Sequence, residues 1–336
     1  MKAIYLKQHG NAHQAFEYRE TSVPTCGDDE VLIEVSCFGL NYAEIMARKG
    51  LYGDAPALPF IPGYEVAGKI CEVGNRVNQH LVGKNVVAFT RFGGYAQYAI
   101  TKANACIETG IHDAAEMCCL AVQYATAWYM AVYLTQLRVA DKVLIHAGAG
   151  GVGTALIQLC KLHGARVYAI AGNHEKEEYM RNQGADFVLN HQTANYAEVW
   201  KDELFDVIFN PVGGSTFKQD KKLLSAAGRL IMYGASEREA GFKFWNGIKF
   251  LRKMGLLLPI LLVRDSVSLM GVNMIRIADQ KPEVLQTCLK EVYKLYQTGK
   301  IKPHVGGRFA FNEIAQAHSF LESRKSIGKV VVMVQK

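Results

Sequence analysis

Glycines 148, 150 and 153 of "HAGAGGVG", with a further glycine at 151, are spaced G-x-G-x-x-G. They follow the apolar run "KVLIH" and open a stretch of helical period in which Val152, Leu156 and Leu159 share one face. In a strand–turn–helix unit of about 30 residues this spacing predicts a dinucleotide-binding turn. One glycine permits the tight turn, another lets backbone approach a pyrophosphate, and the third lets helix pack on strand. The phosphate then meets unpaired N–H groups and the partial positive charge of the helix start. The alternative is a turn that holds nothing.

The next strand, "RVYAIA", ends in Gly172-Asn173. An acid there would bind the ribose 2′-hydroxyl of NAD and repel a 2′-phosphate. None is present, and Lys176 lies one turn on, which favours NADPH. The alternative for Lys176 is a solvated helix residue among Glu175, Glu177 and Glu178.

The elements that position these residues are legible in outline. Before Ala114 the chain reads as short strands and turns ("VLIEVSCFG", "VAGKICEVG", "NVVAFT", "YAQYAI"), a pattern that predicts a partly closed barrel. From Ala114 an apolar stretch without Gly or Pro predicts a helix, and strands then alternate with helices through "FVLN", "FDVIFN" and "RLIMYG". The helix "GSTFKQDKKLLSAA" is expected between the last two strands. Alternation of this kind implies an α/β domain with right-handed βαβ units on a doubly wound parallel sheet. A helix over 283–297 and a closing barrel-like strand follow, so the nucleotide-type domain is inserted in a chain whose two ends make the other domain.

Bulk properties narrow the class. The 336 residues are 50% hydrophobic and 21% charged, with a formal charge of +7 and no run of five basic residues, so no nucleic-acid surface is read. The eight cysteines include no C-x-x-C pair, and most sit in apolar patterns, as buried free thiols of a reducing compartment do. The N-terminus carries no signal-like apolar core, and "MGLLLPILLV" at 254–263 is shorter than the roughly 20 residues a membrane span needs. A cytoplasmic protein is expected.

With these motifs the sequence resembles the medium-chain dehydrogenase/reductase superfamily, and within it the NADPH:quinone oxidoreductase (zeta-crystallin-like) family. The resemblance covers essentially the whole chain. Its marks are "NYAEIMARKGLY" (41–52), "LPFIPGYEVAGKICEVG" (58–74), "GGYAQY" (93–98), "HAGAGGVG" (146–153), "NPVGGSTF" (210–217), "GKIKPHV" (299–305) and "SRKSIGKVVV" (323–332). The segment after Gly234 and the C-terminal wording are similar to the vesicle amine transport protein branch. The resemblance implies a GroES-like β-barrel catalytic domain (1–118 and 263–336) and a Rossmann domain (119–262). It also implies a homodimer through edge strands of the Rossmann domains, here "DSVSLMGVN" at 265–273.

By the same resemblance Thr126 lies beside the nicotinamide, and Gly150, Gly151 and Val152 at the pyrophosphate with Gly148. Gly172, Lys176, His191 and Arg324 surround the adenosine ribose and 2′-phosphate. Gly234, Ala235 and Ser236 pass near the nicotinamide ribose, and Asn41, Tyr52 and Tyr64 face the substrate. Tyr52 matches the tyrosine credited with proton donation in related enoyl thioester reductases. Each has a plain alternative: Tyr52 as barrel surface, His191 as a loop residue, Arg324 as an ion-pair partner. The zinc-dependent alcohol dehydrogenases carry Cys and "GHE" where this chain has Asn41 and "GYE", and the lobe of four close cysteines is missing, so no metal is expected. The substrate implied is a quinone, with conjugated carbonyls, enals or enoyl thioesters as the alternative. A non-enzymatic alternative is a nucleotide-binding interaction protein that uses "FKFWNGIKFLRKMGLLLPILL" (242–262) on a partner or membrane surface; a lid or dimer contact is the preferred reading of that stretch.

Overall fold

In a computed structural model of the chain, residues 1–237, 252–255 and 258–334 are described. Most of the 242–262 stretch therefore lies outside the described residues. The chain forms two compact units, 1–126 with 274–336, and 127–273.

In the first unit β1 (Lys2–Leu6) and β2 (Phe16–Glu20) pair antiparallel. The remaining strands are β3 (Glu30–Leu40), β4 (Glu65–Val73), β5 (Asn85–Phe89), β6 (Tyr98–Lys102) and β7 (Cys106–Glu108), with β14 (Val305–Ala310) and β15 (Lys329–Met333) from the far end of the chain. They make one sheet in the order β14-β15-β3-β4-β5-β7, with β6 also on β3. The long strand β3 bends at register shifts between Leu32 and Ile33 and between Val35 and Cys37. Such shifts raise local twist and curl a sheet. Its alternating Val31, Ile33 and Val35 face a core shared with Phe38, Val66, Ile70, Val330 and Val332. Both chain ends thus build one unit.

The second unit holds β8 (Lys142–Ile145), β9 (Arg166–Ala171), β10 (Phe187–Asn190), β11 (Phe205–Asn210), β12 (Leu224–Met232) and β13 (Ser268–Gly271). All pairs are parallel, in the order β10-β9-β8-β11-β12-β13. The order reverses between β8 and β11, the switch point at which open α/β sheets bind ligands. Apolar residues such as Leu144, Ile170, Phe205, Ile208 and Leu230 fill its core.

Three local readings change. The expected 214–227 helix ends at Lys222, and β12 begins at Leu224, because Leu224 pairs with Phe205 of β11 before a register shift. The helical stretch 114–134 is not a plain α-helix but carries π-helical turns at Leu120–Tyr124 and Tyr129–Leu134. The boundary at 126 falls inside that stretch rather than at 118, and β13 belongs with β12, so the second unit extends to 273. Residues 114–134 are also the one helix among those described that is long and apolar enough to span a membrane; 67% of its most apolar window is buried inside the protein.

Candidate active site

The glycine turn joins β8 to the helix Gly151–Leu162. Its left-handed residue is Ala147 (φ 52°), not a glycine. A Cβ on Gly153 would stand 2.3 Å from the Ala147 carbonyl, and one on Gly148 2.4 Å from Met180 Sδ, so these two glycines allow close packing. At Gly150, the residue that caps the helix, a Cβ would meet only the Ala147 carbonyl, at 3.3 Å. The backbone N–H groups of the helix start are left open on that side, which fits a pyrophosphate. The sequence assigned the tight turn to a glycine; packing is what the outer two provide.

Gly172 and Asn173 follow β9. Asn173 Oδ1 accepts the Lys176 N–H at 2.9 Å and caps the helix His174–Asn182. That is the use to which this position is put where an acid is missing. His191, after β10, lies against Gly172: a Cβ there would sit 3.7 Å from Nε2. Gly172, Lys176 and His191 are thus gathered at one corner. Gly234 to Ser236 run along the 210–212 turn, with the Ser236 N–H on the Pro211 carbonyl at 3.0 Å. Thr126 is buried within the 114–134 helix. Arg324 belongs to the first unit, exposed, with φ 58° after the helix Ile314–Glu322.

In the first unit Asn41, Tyr52 and Tyr64 come together around groups the sequence reading missed. Asn41 precedes the helix Tyr42–Arg48, and its N–H donates to Glu44 Oε2 at 2.7 Å. Glu44 Oε1 accepts the Tyr64 N–H at 3.3 Å. The Asn41 amide donates to Glu65 Oε1 and accepts from Lys329 Nζ, both at 2.8 Å. Lys329 and Glu65 pair directly, both fully buried, and Glu65 Oε2 accepts the Val122 N–H at 2.9 Å. Room for them comes from Gly39, where a Cβ would stand 2.3 Å from Lys329 Cε. One donor and one lone pair of the Asn41 amide are therefore spent inward rather than offered to a substrate.

Burial pushes the Glu44 carboxyl up to about 8, against the nearby Lys329 charge. Burial, then Asp54 and Glu44, raise the Tyr52 phenol to about 12, and burial holds Tyr64 far above the ordinary range. Burial pulls Lys329 down, but the charges of Glu65 and its neighbours outweigh that and its pKa rises. The Tyr52 and Tyr64 ring centroids are 6.0 Å apart. Five of the eight cysteines are buried, but Cys71 is exposed and Cys26 and Cys106 are half-buried, so the buried-thiol expectation holds for most.

A second missed network lies beside the glycine turn. His146 Nε2 meets Asp220 Oδ1 at 2.8 Å, and the Tyr196 hydroxyl donates to the same oxygen at 2.7 Å. Asn210 Nδ2 donates to Asp220 Oδ2 and to Thr216, and Asn210 Oδ1 accepts the Val212 and Gly213 N–H groups. This fixes the 210–216 turn at the end of β11. The visible signal for both networks was a charged or polar residue next to an apolar run: His146, Asn210 and Lys329.

Among the described residues no three His, Cys, Asp or Glu side chains are grouped so as to hold a metal ion.

Comparison with known proteins agrees with this architecture. Residues 27–113 match the alcohol dehydrogenase GroES-like domain, and residues 183–332 match the zinc-binding dehydrogenase family. The chain is 30% identical over 343 residues to the quinone oxidoreductase of Rattus norvegicus, covering 99% of this chain and 98% of that protein. It is 28% identical over 342 residues to the synaptic vesicle membrane protein VAT-1 homolog of Danio rerio, covering 99% and 70%. A mycobacterial protein solved in complex with NADPH superimposes with a TM-score of 0.86 at 26% identity, covering 99% and 100%. The two units are the GroES-like domain and the Rossmann domain of a medium-chain dehydrogenase/reductase. The chain belongs to the quinone oxidoreductase family of that superfamily, near the VAT-1 branch.

Proposed function

We propose that this protein is a zinc-independent, NADPH-dependent reductase of quinones. The observation that carries the cofactor choice is the corner at the end of β9, where Asn173 is committed to capping a helix and His191 stands against Gly172. Quinone as acceptor follows the rat relative. Residue chemistry supports zinc independence. An amide at 41, and at 64 a buried phenol whose pKa is raised far above neutrality, do not supply the thiolate and imidazole that a catalytic zinc takes.

When bound, NADPH supplies a hydride to the acceptor. The protein's own groups do the rest. Gly151 and Val152 present backbone N–H groups to the pyrophosphate beside Gly148 and Gly150, whose own N–H groups go to the Ile170 and Ala147 carbonyls, while Gly172, Lys176 and His191 take the adenosine ribose and its 2′-phosphate. Gly234, Ala235 and Ser236 bound the nicotinamide end. Lys329 and Glu65 fix the Asn41 amide, and Tyr64 and Tyr52 make the substrate wall. The Tyr52 hydroxyl, with its pKa near 12, keeps its proton at neutral pH and can donate it. That donor is the observation favouring the second reading, reduction of an enone or enoyl thioester. We read the protein as a cytosolic homodimer in which β13, the outer strand of the Rossmann sheet, pairs with its copy.

The test is an NADPH-oxidation screen of the purified protein over quinones, enals and enoyl thioesters. Turnover highest with quinones supports the reading, and turnover confined to enoyl thioesters defeats it.

A further inference from the structure

Tyr52 and Tyr64 are part of a larger aromatic cluster that Phe92 completes, with Tyr64 buried and Tyr52 and Phe92 half-buried. The Phe92 centroid lies 5.2 Å from that of Tyr64 and 5.6 Å from that of Phe60. Phe92 and Tyr52 are both partly buried against the cluster of Leu6, Ala47 and Phe60. The rings come from separate loops. The Phe92 loop is tied to the Tyr64 stretch by backbone: Thr90 N–H to the Tyr64 carbonyl at 2.7 Å and Gly93 N–H to the Ile61 carbonyl at 2.9 Å. The Tyr52 loop is held differently. Arg276, on the helix Met274–Gln280, donates to Asp54 at 2.5 Å, and Asp279 of the same helix accepts from Arg91 Nε at 3.1 Å.

The two helix residues are three apart and so share a face. Their charges are opposite, and so are those of their partners. A helix shifted by one turn would bring like charges together, so the two pairs define one register of helix and loops. The arginine ends of both pairs are largely exposed, and such pairs add little to stability. What they supply is position: Asp54 is two residues from Tyr52, and Arg91 adjoins Phe92.

We propose that the Met274–Gln280 helix is a brace that sets the aromatic wall through Arg276–Asp54 and Arg91–Asp279, and that Phe92 makes this wall selective for flat, two-ring acceptors. This rests on the reading that Tyr52 and Tyr64 face the substrate. Tyr52 and Phe92 are each tilted about Tyr64, at 54° and 55°, so a flat acceptor that stacks on one ring meets the edges of its neighbours, and a fused bicyclic quinone reaches more of them than a single ring does.

Equilibrium dialysis of the full chain with 1,4-naphthoquinone and with 1,4-benzoquinone tests it without turnover. The expected preference for naphthoquinone is about tenfold, and Phe92→Leu should abolish it. Arg276→Glu should weaken naphthoquinone binding by about fivefold, the upper range for such a pair, and Arg276→Glu/Asp54→Lys should recover it. Thermal denaturation checks the fold, with Arg276→Gln as the milder variant. An unchanged preference in Phe92→Leu, or a folded double variant that fails to recover, overturns the proposal. So does a wild-type chain with no preference. Binding preference without quinone turnover would instead defeat the functional reading and leave the wall standing.

Discussion

Lys329 at the start of β15 and Glu65 at the start of β4 form an ion pair with both side chains wholly removed from solvent. Desolvation of two such charges is offset only where further hydrogen bonds satisfy them. Here Asn41 bridges the two and the Val122 N–H completes Glu65. The pair ties β15 to β4, the strand that begins one residue after Tyr64.

Removing one partner strands the other. Lys329→Met should cost about 3–5 kcal/mol in urea unfolding, while Lys329→Met/Glu65→Leu should regain most of that. Equal losses in the single and double variants would show that the pair is not coupled.

Glu44 gives a pH signature. Its carboxyl is raised from 4.5 to about 8 in the folded protein, so the folded state binds this proton more tightly than the unfolded state. Its contribution to stability is complete below the unfolded pKa and is lost as pH rises toward 8. Glu44→Gln cannot ionise, so its melting temperature relative to wild type should climb between pH 5 and pH 8. A constant difference over that range would refute a protonated Glu44.

The glycines of the turn should separate by role. Gly153→Ala drives a Cβ into the Ala147 carbonyl and should lower thermal stability of the 127–273 unit. Gly150→Asp should leave the 1–126 and 274–336 unit folded and abolish dinucleotide binding, since it sets a carboxylate against pyrophosphate. Fluorescence titration and thermal denaturation read the two effects.

Tyr52→Phe divides the two substrate readings. A quinone can take its protons from water after reduction, so its rate should fall less than about tenfold, under roughly 1.4 kcal/mol of barrier. Enone reduction needs a placed acid, worth about 10²–10⁴-fold. A hundredfold loss with quinones, with circular dichroism and NADPH affinity intact, would move the assignment to conjugated carbonyls.

Much of this was legible in the sequence. Period and punctuation carried the parallel sheet, the 151–162 helix and the barrel strands, because burial on one face or both leaves a pattern in apolar residues. The glycine motif carried the turn. Less legible were features made by residues far apart in the chain. Lys329 and Glu65 are separated by most of its length, and the Arg276–Asp54 and Arg91–Asp279 pairs join loops to a helix that periodicity alone does not place. Ala147 in a left-handed conformation went unseen because glycine is the residue that conformation favours. The end of the helix at Lys222 was hidden because "LLSAA" suits a helix locally, and pairing with β11 decides otherwise.

The central claim is that the end of β9 is built for a 2′-phosphate. Fluorescence titration of wild type and Lys176→Ala with NADPH and NADH tests it most directly. Wild type should bind NADPH more tightly, and Lys176→Ala should lose about 1.5–3 kcal/mol toward NADPH, the worth of a charge-assisted contact, with NADH nearly unchanged. Equal or tighter binding of NADH by wild type would contradict the account.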